Sequence, residues 1–485
     1  MKLETLLNNI SALQIQGDVN KEIIGITADS RNVSQGFLFV AVPGTKIDGH
    51  QFIGQAVEQG ALAIICSVMP QETSQGVCYV KVADCHQVLG LVASAFYGHP
   101  SSKLTLAGVT GTNGKTTTAT LLYNLFRALG YKCGLLSTVE NFVDDEVYAA
   151  KQTTPDPITI NSLMAKMVDK GCQYCFMEVS SHSLVQKRIA GLDFKLAIFT
   201  NITLDHLDYH KTFQEYIRAK KLFFDNLSSN AFALVNTDDK NGRVMVQNSK
   251  AQIKTYGLQN FTDFGASILE CNFDGMLLNI CGHEMWTLLP GKFNAYNILA
   301  VYSSAVLLGQ QPEDILRCLS GLHSVKGRFD VVTAGKISAI VDYAHTPDAL
   351  ENVIKTINQI RTKDRKLITV CGCGGDRDKS KRPIMAKIAA MYSDKVILTS
   401  DNPRTEDPDV ILDDMFVGLD SELLPKVIRI TERRAAIQAA CFAARDNDII
   451  LIAGKGHETY QEINGVRSHF DDKEIAAAQL QLINN

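Results

Sequence analysis

Several features that would set the class of this protein are missing from its sequence. No stretch of about 18 or more uninterrupted apolar residues occurs among its 485 positions, so no transmembrane helix is expected. The opening M-K-L-E-T-L-L-N-N-I holds an acid and two asparagines where a secretory signal needs an apolar run, and a cytosolic location is expected. Neither sign of charge dominates. Lys and Arg total 48 against 52 Asp and Glu, a net charge of −4, which argues against a bulk nucleic-acid binder. Low-complexity tracts and short-period repeats are absent. Twelve cysteines are scattered along the chain, a pattern of reduced thiols rather than of a disulfide framework. The pair Cys172 and Cys175 has no second ligand pair at zinc spacing. Cys175 also opens the apolar run C-F-M-E-V, so core packing is its expected role.

What is present reads as an α/β protein of about three domains. Gly, Pro and Ser gather at F-Y-G-H-P-S-S-K-L (96–104), and a second break falls at H-S-V-K-G-R-F-D (323–330). Domains over 1–98, 99–326 and 327–485 are expected. Strand and helix signals alternate through the central part, which predicts a mostly parallel sheet. Residues 251–290 read instead as antiparallel strands on one edge. The last portion has four strand runs, I-S-A-I-V-D-Y-A-H, K-L-I-T-V-C-G-C-G-G, K-V-I-L-T-S-D-N and D-I-I-L-I-A-G-K-G. Each ends in a polar or Gly-rich corner, and in open α/β sheets ligands gather beyond strand C-termini.

The most specific stretch is G-V-T-G-T-N-G-K-T-T (108–117), a Gly-rich turn between a β-rich run and an amphipathic helix. This is a phosphate loop, in which backbone N–H groups and a helix N-terminus hold phosphate oxygens. Lys115 would reach the β/γ-phosphates and Thr116 would offer its hydroxyl to Mg²⁺. The usual pattern asks for Gly at position 109, where this chain has Val109. No N-K-x-D guanine-reading motif accompanies the loop. The strand Y-C-F-M-E-V ends at Glu178, followed by Ser180, Ser181 and His182. The run F-T-N-I-T-L-D-H reads as a further strand ending near Asp205 and His206. Glu178, His206 and Thr116 are candidates to converge on a metal. Leu207 stands where H-E-x-x-H needs its Glu, which disfavours a zinc protease and leaves His210 a structural residue.

Eight motifs occur in order: G-T-N-G-K-T-T (111–117), E-V-S-S-H (178–182), D-H-L-D-Y-H (205–210), N-A-Y-N (294–297), D-Y-A-H-T-P (342–347), G-C-G-G-D-R-D (372–378), D-N-P-R (401–404) and G-K-G-H-E (454–458). Over essentially its full length the chain resembles the Mur ligases of peptidoglycan precursor synthesis. The resemblance implies an N-terminal α/β domain for a UDP-sugar, a central P-loop ATPase domain with a mostly parallel sheet, and a C-terminal Rossmann-like domain for the incoming amino acid. It implies ATP and Mg²⁺. The implied reaction phosphorylates the terminal carboxylate of UDP-N-acetylmuramoyl-L-alanyl-D-glutamate and joins the acyl phosphate to an amine. A monomer that contacts neither nucleic acid nor membrane is expected.

Residue by residue, the resemblance assigns ATP to Gly111, Thr112, Asn113, Gly114, Lys115, Thr116 and Thr117, with Asn297, Arg328 and Asp342 at the adenine, phosphate and ribose parts. Metal falls to Thr116, Glu178, His206 and Lys220, the last as a carbamate formed with CO₂. Lys115, Glu178, His206 and Lys220 form the catalytic set. From the residues alone, Lys220 beside Lys221 reads as a solvated helix lysine. Ala28, Ser30, Thr45, Lys46 and Ile47 match uridine-side contacts. Gln152, Thr153, Thr154, Ser180, Gln186 and Arg188 match contacts to the sugar peptide.

Arg377, Asp401, Asn402, Pro403, Arg404, Gly454 and Glu458 match the pocket for the added residue. Members that add meso-diaminopimelate resemble this chain in carrying D-N-P-R. A guanidinium at Arg404 can pair with the distal carboxylate that lysine lacks, through two parallel hydrogen bonds. Leaving it unpaired would cost about 1–3 kcal/mol or more. The other readings are a surface ion pair of Arg404 with Glu406 or Asp407, L-lysine as the added residue, a related ligase with a folate-type acceptor, a P-loop hydrolase or switch, and a scaffold that only binds the nucleotide sugar.

Overall fold

The computed structural model describes residues 1–44 and 47–484. Thr45 and Lys46, two of the expected uridine-side contacts, lie outside the described residues. Three separate sheets organise the chain. The first is built from β1 (Ala12–Gln16), β2 (Gly25–Thr27), β3 (Phe37–Val40), β4 (Ala63–Cys66) and β5 (Cys78–Val82), in the order β1-β5-β4-β3-β2. Only β1 runs against its neighbour.

The central sheet comprises β6 (Thr105–Thr110), β7 (Cys133–Leu136), β8 (Glu140–Val143), β9 (Glu146–Ala149), β10 (Tyr174–Glu178), β11 (Leu196–Phe199), β12 (Phe232–Asn236), β13 (Gln252–Gly257), β14 (Phe264–Asn272), β15 (Gly275–Ile280) and β16 (His283–Thr287). Its order is β16-β15-β14-β13-β12-β11-β6-β10-β7-β8-β9. The middle of the sheet is parallel and each end is antiparallel. The expectation of an antiparallel edge over 251–290 therefore needs correction at β13. That strand pairs parallel with β12, because the connection between them crosses over through the short helix Gly242–Met245.

The third sheet holds β17 (Asp330–Ala334), β18 (Ile337–Asp342), β19 (Leu367–Cys371), β20 (Lys395–Leu398), β21 (Val427–Arg429) and β22 (Ile449–Ala453), in the order β17-β18-β22-β19-β20-β21. All but β17 are parallel. A separate two-stranded hairpin follows, β23 (Tyr460–Ile463) and β24 (Val466–His469).

β6 can sit inside its sheet, between β11 and β10, because it is apolar on both faces. Ala107 and Val109 pack into one core with Phe126, Ile198 and Ile298, whereas Leu106 packs into the opposite one with Met177, Phe199 and Phe223. Val109 is thus a buried strand residue paired with Glu178, and the phosphate loop begins only at Gly111. Cys172 and Cys175 belong to the second of these cores. Among the described residues no helix is long and apolar enough to cross a membrane.

Candidate active site

β6, β10 and β11 are adjacent and parallel, so the loops after them open on one edge. Gly111 approaches Thr200 so closely that a Cβ would lie 1.9 Å from its Oγ1, and its φ of +153° is one that side chains avoid. Thr200 Oγ1 donates to Asn113 O at 2.6 Å and Asn201 Oδ1 accepts from Asn113 N at 2.9 Å, which fixes the loop's path. The helix Lys115–Ala128 then starts at Gly114 with no side-chain cap, unlike the helices opened by Thr212 and Thr346. Its first N–H groups remain available to an anion. Lys115 Nζ donates to Gly111 O and Thr112 O at 2.9 and 2.8 Å, and burial lowers its pKa.

Glu178 ends β10 fully buried. Its Oε1 accepts from Thr138 N and Oγ1 at 2.7 and 2.9 Å, and its Oε2 accepts from Thr116 Oγ1 at 3.0 Å. A carboxylate and a hydroxyl so close at a phosphate loop are oxygen donors of the kind Mg²⁺ takes. Among the described residues no group of three His, Cys, Asp or Glu forms a ready metal cage.

The strand expected to end near Asp205 and His206 stops at Phe199. Asp205 and His206 instead lie in the loop beyond, which starts where Thr200 and Asn201 hold the phosphate loop with their side chains. His206 adopts φ +55° and stands 3.4 Å from Asp205 Oδ2. Burial pushes its pKa down to about 3, against the pull of Asp205 and with the help of Lys115, His182 and Lys220. The ring is neutral at pH 7. His210 is buried on the same segment with Nε2 2.9 Å from Ser181 Oγ.

Lys220 is not the solvated helix lysine that its neighbourhood in sequence predicts. It is 1% exposed, its Nζ donates to Gly111 O at 2.8 Å, and it lies 4.8 Å from the Tyr216 ring centre. Burial, with the Lys115 ammonium nearby, holds its pKa far below that of an ordinary lysine. The surface role belongs to Lys221, which pairs with Asp225. The helix Phe213–Asp225 explains this: Tyr216, Ala219, Phe223 and Phe224 form its buried stripe, and Lys220 falls inside that stripe.

The third sheet completes the edge. Arg328 Nη2 donates to Thr116 Oγ1 at 3.1 Å, its guanidinium lies over the Tyr343 ring, and its buried Nε has no partner. Asp342 accepts from Phe329 N at 2.7 Å, and burial raises its pKa to about 6 despite Arg328. Asp348 accepts from Asn113 Nδ2 at 2.7 Å, linking the third sheet's first helix to the phosphate loop. These groups line a cavity of about 650 Å³ with Thr112, Asn113, Gly114, Lys115, Thr116, Thr117, Glu178, His206 and Asn297. Asn297 stands beside the phosphate loop, its Oδ1 2.6 Å from where a Cβ on Gly114 would be.

A second cavity of about 450 Å³ adjoins the first and shares Lys115, Thr153, Asp205, His206, Tyr343 and His345 with it. On one side stand Gln152, Thr153, Thr154, Ser180 and Arg188. Arg188 donates to Thr154 O at 2.7 Å and to Gln186 Oε1, while Thr154 Oγ1 ties to Ser180. On the other side are Arg377, Asp401, Asn402, Arg404, Gly454 and Glu458, with Lys220 below. Asn402 Nδ2 donates to Glu458 Oε2 at 2.8 Å, and the fully buried Lys455 Nζ reaches Asn402 Oδ1 and Glu458 Oε2, each at 3.0 Å.

Arg404 forms no ion pair with Glu406. That carboxylate is taken by the fully buried Arg382 and by Lys379, which hold its pKa down at about 2. Arg404 Nη1 instead donates to Gly375 O at 2.7 Å. Gly375 is required there, since a Cβ would lie 1.9 Å from Pro403 O. Pro403 is buried behind the corner and does not line the cavity.

The uridine-side candidates stand apart. Ser30 is buried and donates to Gln55 Oε1, Ala28 packs on the first sheet's core, and Ile47 is exposed; none lines either cavity. Sequence reasoning passed over Thr138, Asp348, Arg382 and Lys455. Of these, Lys455 stood inside a quoted motif, whereas the other three are joined to the site only by the fold.

A phosphate loop on a mostly parallel sheet, joined to two further α/β units around a divided cavity, defines a multidomain P-loop nucleotide-binding protein. Comparisons narrow this class. Three family models match in succession: the Mur ligase family catalytic domain over 22–97, the Mur ligase middle domain over 109–305, and the Mur ligase glutamate ligase domain over 327–456. The chain belongs to the Mur ligase family. It is 56% identical over 476 residues to a protein of Bacteroides fragilis named UDP-N-acetylmuramoyl-L-alanyl-D-glutamate--2,6-diaminopimelate ligase, covering 98% of each. A namesake from Bacteroides thetaiotaomicron is 54% identical, covering 98% of this chain and 99% of the other. A solved structure titled with the same enzyme superposes with a TM-score of 0.70 at 31% identity, over 100% of this chain and 99% of that one.

Proposed function

We propose that this chain is an ATP-dependent ligase that adds meso-2,6-diaminopimelate to UDP-N-acetylmuramoyl-L-alanyl-D-glutamate. The observation that carries the reading is the meeting of the two cavities at Lys115, Asp205, His206, Tyr343 and His345. A nucleotide in the larger cavity and a carboxylate in the smaller one would face each other there. The names of its relatives supply the substrates.

In this proposal a carboxylate oxygen of the dipeptide attacks the γ-phosphorus of ATP, the bond to the β-phosphate oxygen breaks, and ADP leaves. The amine of diaminopimelate then attacks the acyl carbon, loses a proton, and expels inorganic phosphate. Lys115, Arg328 and the free N–H groups at the start of the helix Lys115–Ala128 hold the phosphate charges. Asn297 and Asp342 border the nucleotide. Thr116, Glu178 and neutral His206 would hold Mg²⁺, which when bound supplies charge neutralisation at the phosphates. Gln152, Thr153, Thr154, Ser180, Gln186 and Arg188 grip the sugar peptide, and Ala28, Ser30 and the 45–47 segment the uridine end.

Lys220 is proposed to act as a carbamate. Burial lowers the pKa of its amine and so favours the neutral form, the one that adds to CO₂ with loss of a proton. The new carboxylate would complete an oxygen-donor site that the amine itself cannot. Asp401, Asn402, Arg404, Gly454, Glu458 and Arg377 read the zwitterionic end of the amino acid. The protein would work in the cytosol.

The test is phosphate release measured with each substrate omitted in turn. A ligase releases phosphate only when ATP, the UDP-sugar dipeptide and an amino acid are all present. Turnover of ATP alone at an equal rate would make the chain a hydrolase and refute the proposal.

A further inference from the structure

The hairpin β23–β24 belongs to none of the three main sheets, and β24 is exposed along its whole length. Its turn, Asn464 and Gly465, has φ of +49° and +78°, the conformation of a tight two-residue hairpin. Ile463 and Val466 beside the turn are 47% and 68% exposed. Little apolar burial therefore accounts for this element. Its hydrogen bonds point elsewhere.

Four of them leave the hairpin for the D-N-P-R corner. Gln461 Nε2 donates to Asp401 O at 2.7 Å. Glu462 N donates to Asn402 Oδ1 at 3.0 Å. Glu462 O accepts from Arg404 N at 3.1 Å, and Asn464 N donates to Arg404 O at 2.7 Å. The last two bracket a residue with φ +53°, a left-handed conformation that a non-glycine residue keeps only when its surroundings impose it. The Arg404 guanidinium is tied at one donor to Gly375 O, which leaves its remaining donors for the cavity. The hairpin fixes the base of this side chain and Gly375 fixes its tip.

We propose that the hairpin β23–β24, through Gln461 and the backbone of Glu462 and Asn464, is a positioning element that aims Arg404 and so sets discrimination for the distal end of the amino-acid substrate. The proposal rests on the reading of Arg404 as the residue that meets the distal carboxylate. None of the hairpin's residues lines either cavity. Their effect is on which amino acid is accepted and at what concentration, with nucleotide chemistry left alone. Misdirecting a guanidinium by about 1 Å at a bidentate site is enough to lose the geometry that two parallel hydrogen bonds need.

The chain allows a clean test. Phe470 N donates to Thr459 O at 3.0 Å, so the two ends of the hairpin already meet. Residues 460–469 can be replaced by a short Gly-Ser turn with both flanks in place. In the full-length protein, KM for diaminopimelate, for ATP and for the UDP-sugar dipeptide are compared between wild type, this excision variant and Gln461→Ala. L-lysine serves as the competing amino acid. The expected result is a rise of about tenfold or more in KM for diaminopimelate on excision and about threefold or more for Gln461→Ala. KM for ATP and for the dipeptide should stay within about twofold, and the preference over lysine should narrow. An unchanged preference in Gln461→Ala and in a folded excision variant overturns the proposal, as does an equal loss for all three substrates. If excision prevents folding, Gln461→Ala alone decides. A wild-type protein that uses lysine as well as diaminopimelate refutes the reading of Arg404 instead, so the two failures are distinguishable.

Discussion

Replacing Glu178 by Gln separates the site's chemistry from its architecture. All three groups around the carboxylate donate to it: Thr138 N, Thr138 Oγ1 and Thr116 Oγ1. An amide that keeps its oxygen toward Thr138 retains the first two bonds. Its NH₂ then faces Thr116 Oγ1, which can reverse its role and accept. The protein would exchange three charge-assisted bonds for neutral ones, a loss of about 1 kcal/mol each that is partly offset because no charge is left buried. The fold should survive with a modestly lower thermal midpoint. Activity should fall much further, because an amide cannot replace a carboxylate on Mg²⁺. Losing about 4 kcal/mol of charge stabilisation corresponds to roughly a thousandfold in rate. The assay is phosphate release at saturating substrates over a Mg²⁺ titration, with thermal unfolding in parallel. Near-normal activity at an unchanged Mg²⁺ requirement would refute the role given to Glu178.

Two further predictions concern stability. Arg433 and Asp472 form a fully buried ion pair, with Nε and Nη2 at 2.8 and 2.6 Å from the carboxylate, and Arg433 also donates to Ala453 O. Arg433→Ala strands Asp472 and should cost about 3–5 kcal/mol, read from the denaturation midpoint; a double variant with apolar residues at both positions should recover most of it. Burial holds the histidines His345 and His457 at pKa values of about 4 and about 3, below the unfolded value of about 6.5. The unfolded chain takes up those protons first, so stability present at pH 7 falls as pH drops below about 6.5, by about 1.4 kcal/mol per pH unit for each histidine. Asp342, with its pKa raised to about 6, binds a proton in the folded state first and offsets part of this loss between about pH 6 and 4. Asp342→Asn should therefore steepen the acid-side fall, and a shallower profile would contradict the assignment.

Much of the site was legible because its chemistry is local in sequence. The phosphate loop needs Gly111, Lys115 and Thr116 at fixed spacing between a strand and a helix, and that spacing is visible without a structure. The corners after β18, β19, β20 and β22 are legible for the same reason, since parallel strands deliver their C-terminal turns to one edge. Burial was harder to read. Lys220 looked like half of a solvated pair, although Tyr216, Phe223 and Phe224 at helical spacing already marked its face as the buried one. The end of β11 was misplaced because β-branched Thr200, Ile202 and Thr203 look strand-like, although the side chains of Thr200 and Asn201 serve the phosphate loop. Arg404 sits close in sequence to Glu406, yet Arg382 from the distant helix Lys381–Tyr392 holds that carboxylate. Nothing in the local pattern announces such a competition.

The central claim is that this ligase reads the distal end of its amino acid with Arg404. The most direct test measures kcat/KM for meso-diaminopimelate and for L-lysine with ATP and the UDP-sugar dipeptide, in wild type and in Arg404→Ala. The account predicts a preference for diaminopimelate of at least about tenfold in wild type that collapses in Arg404→Ala, with KM for ATP unchanged. Equal use of lysine by the wild-type protein, or a preference that survives removal of Arg404, would contradict it.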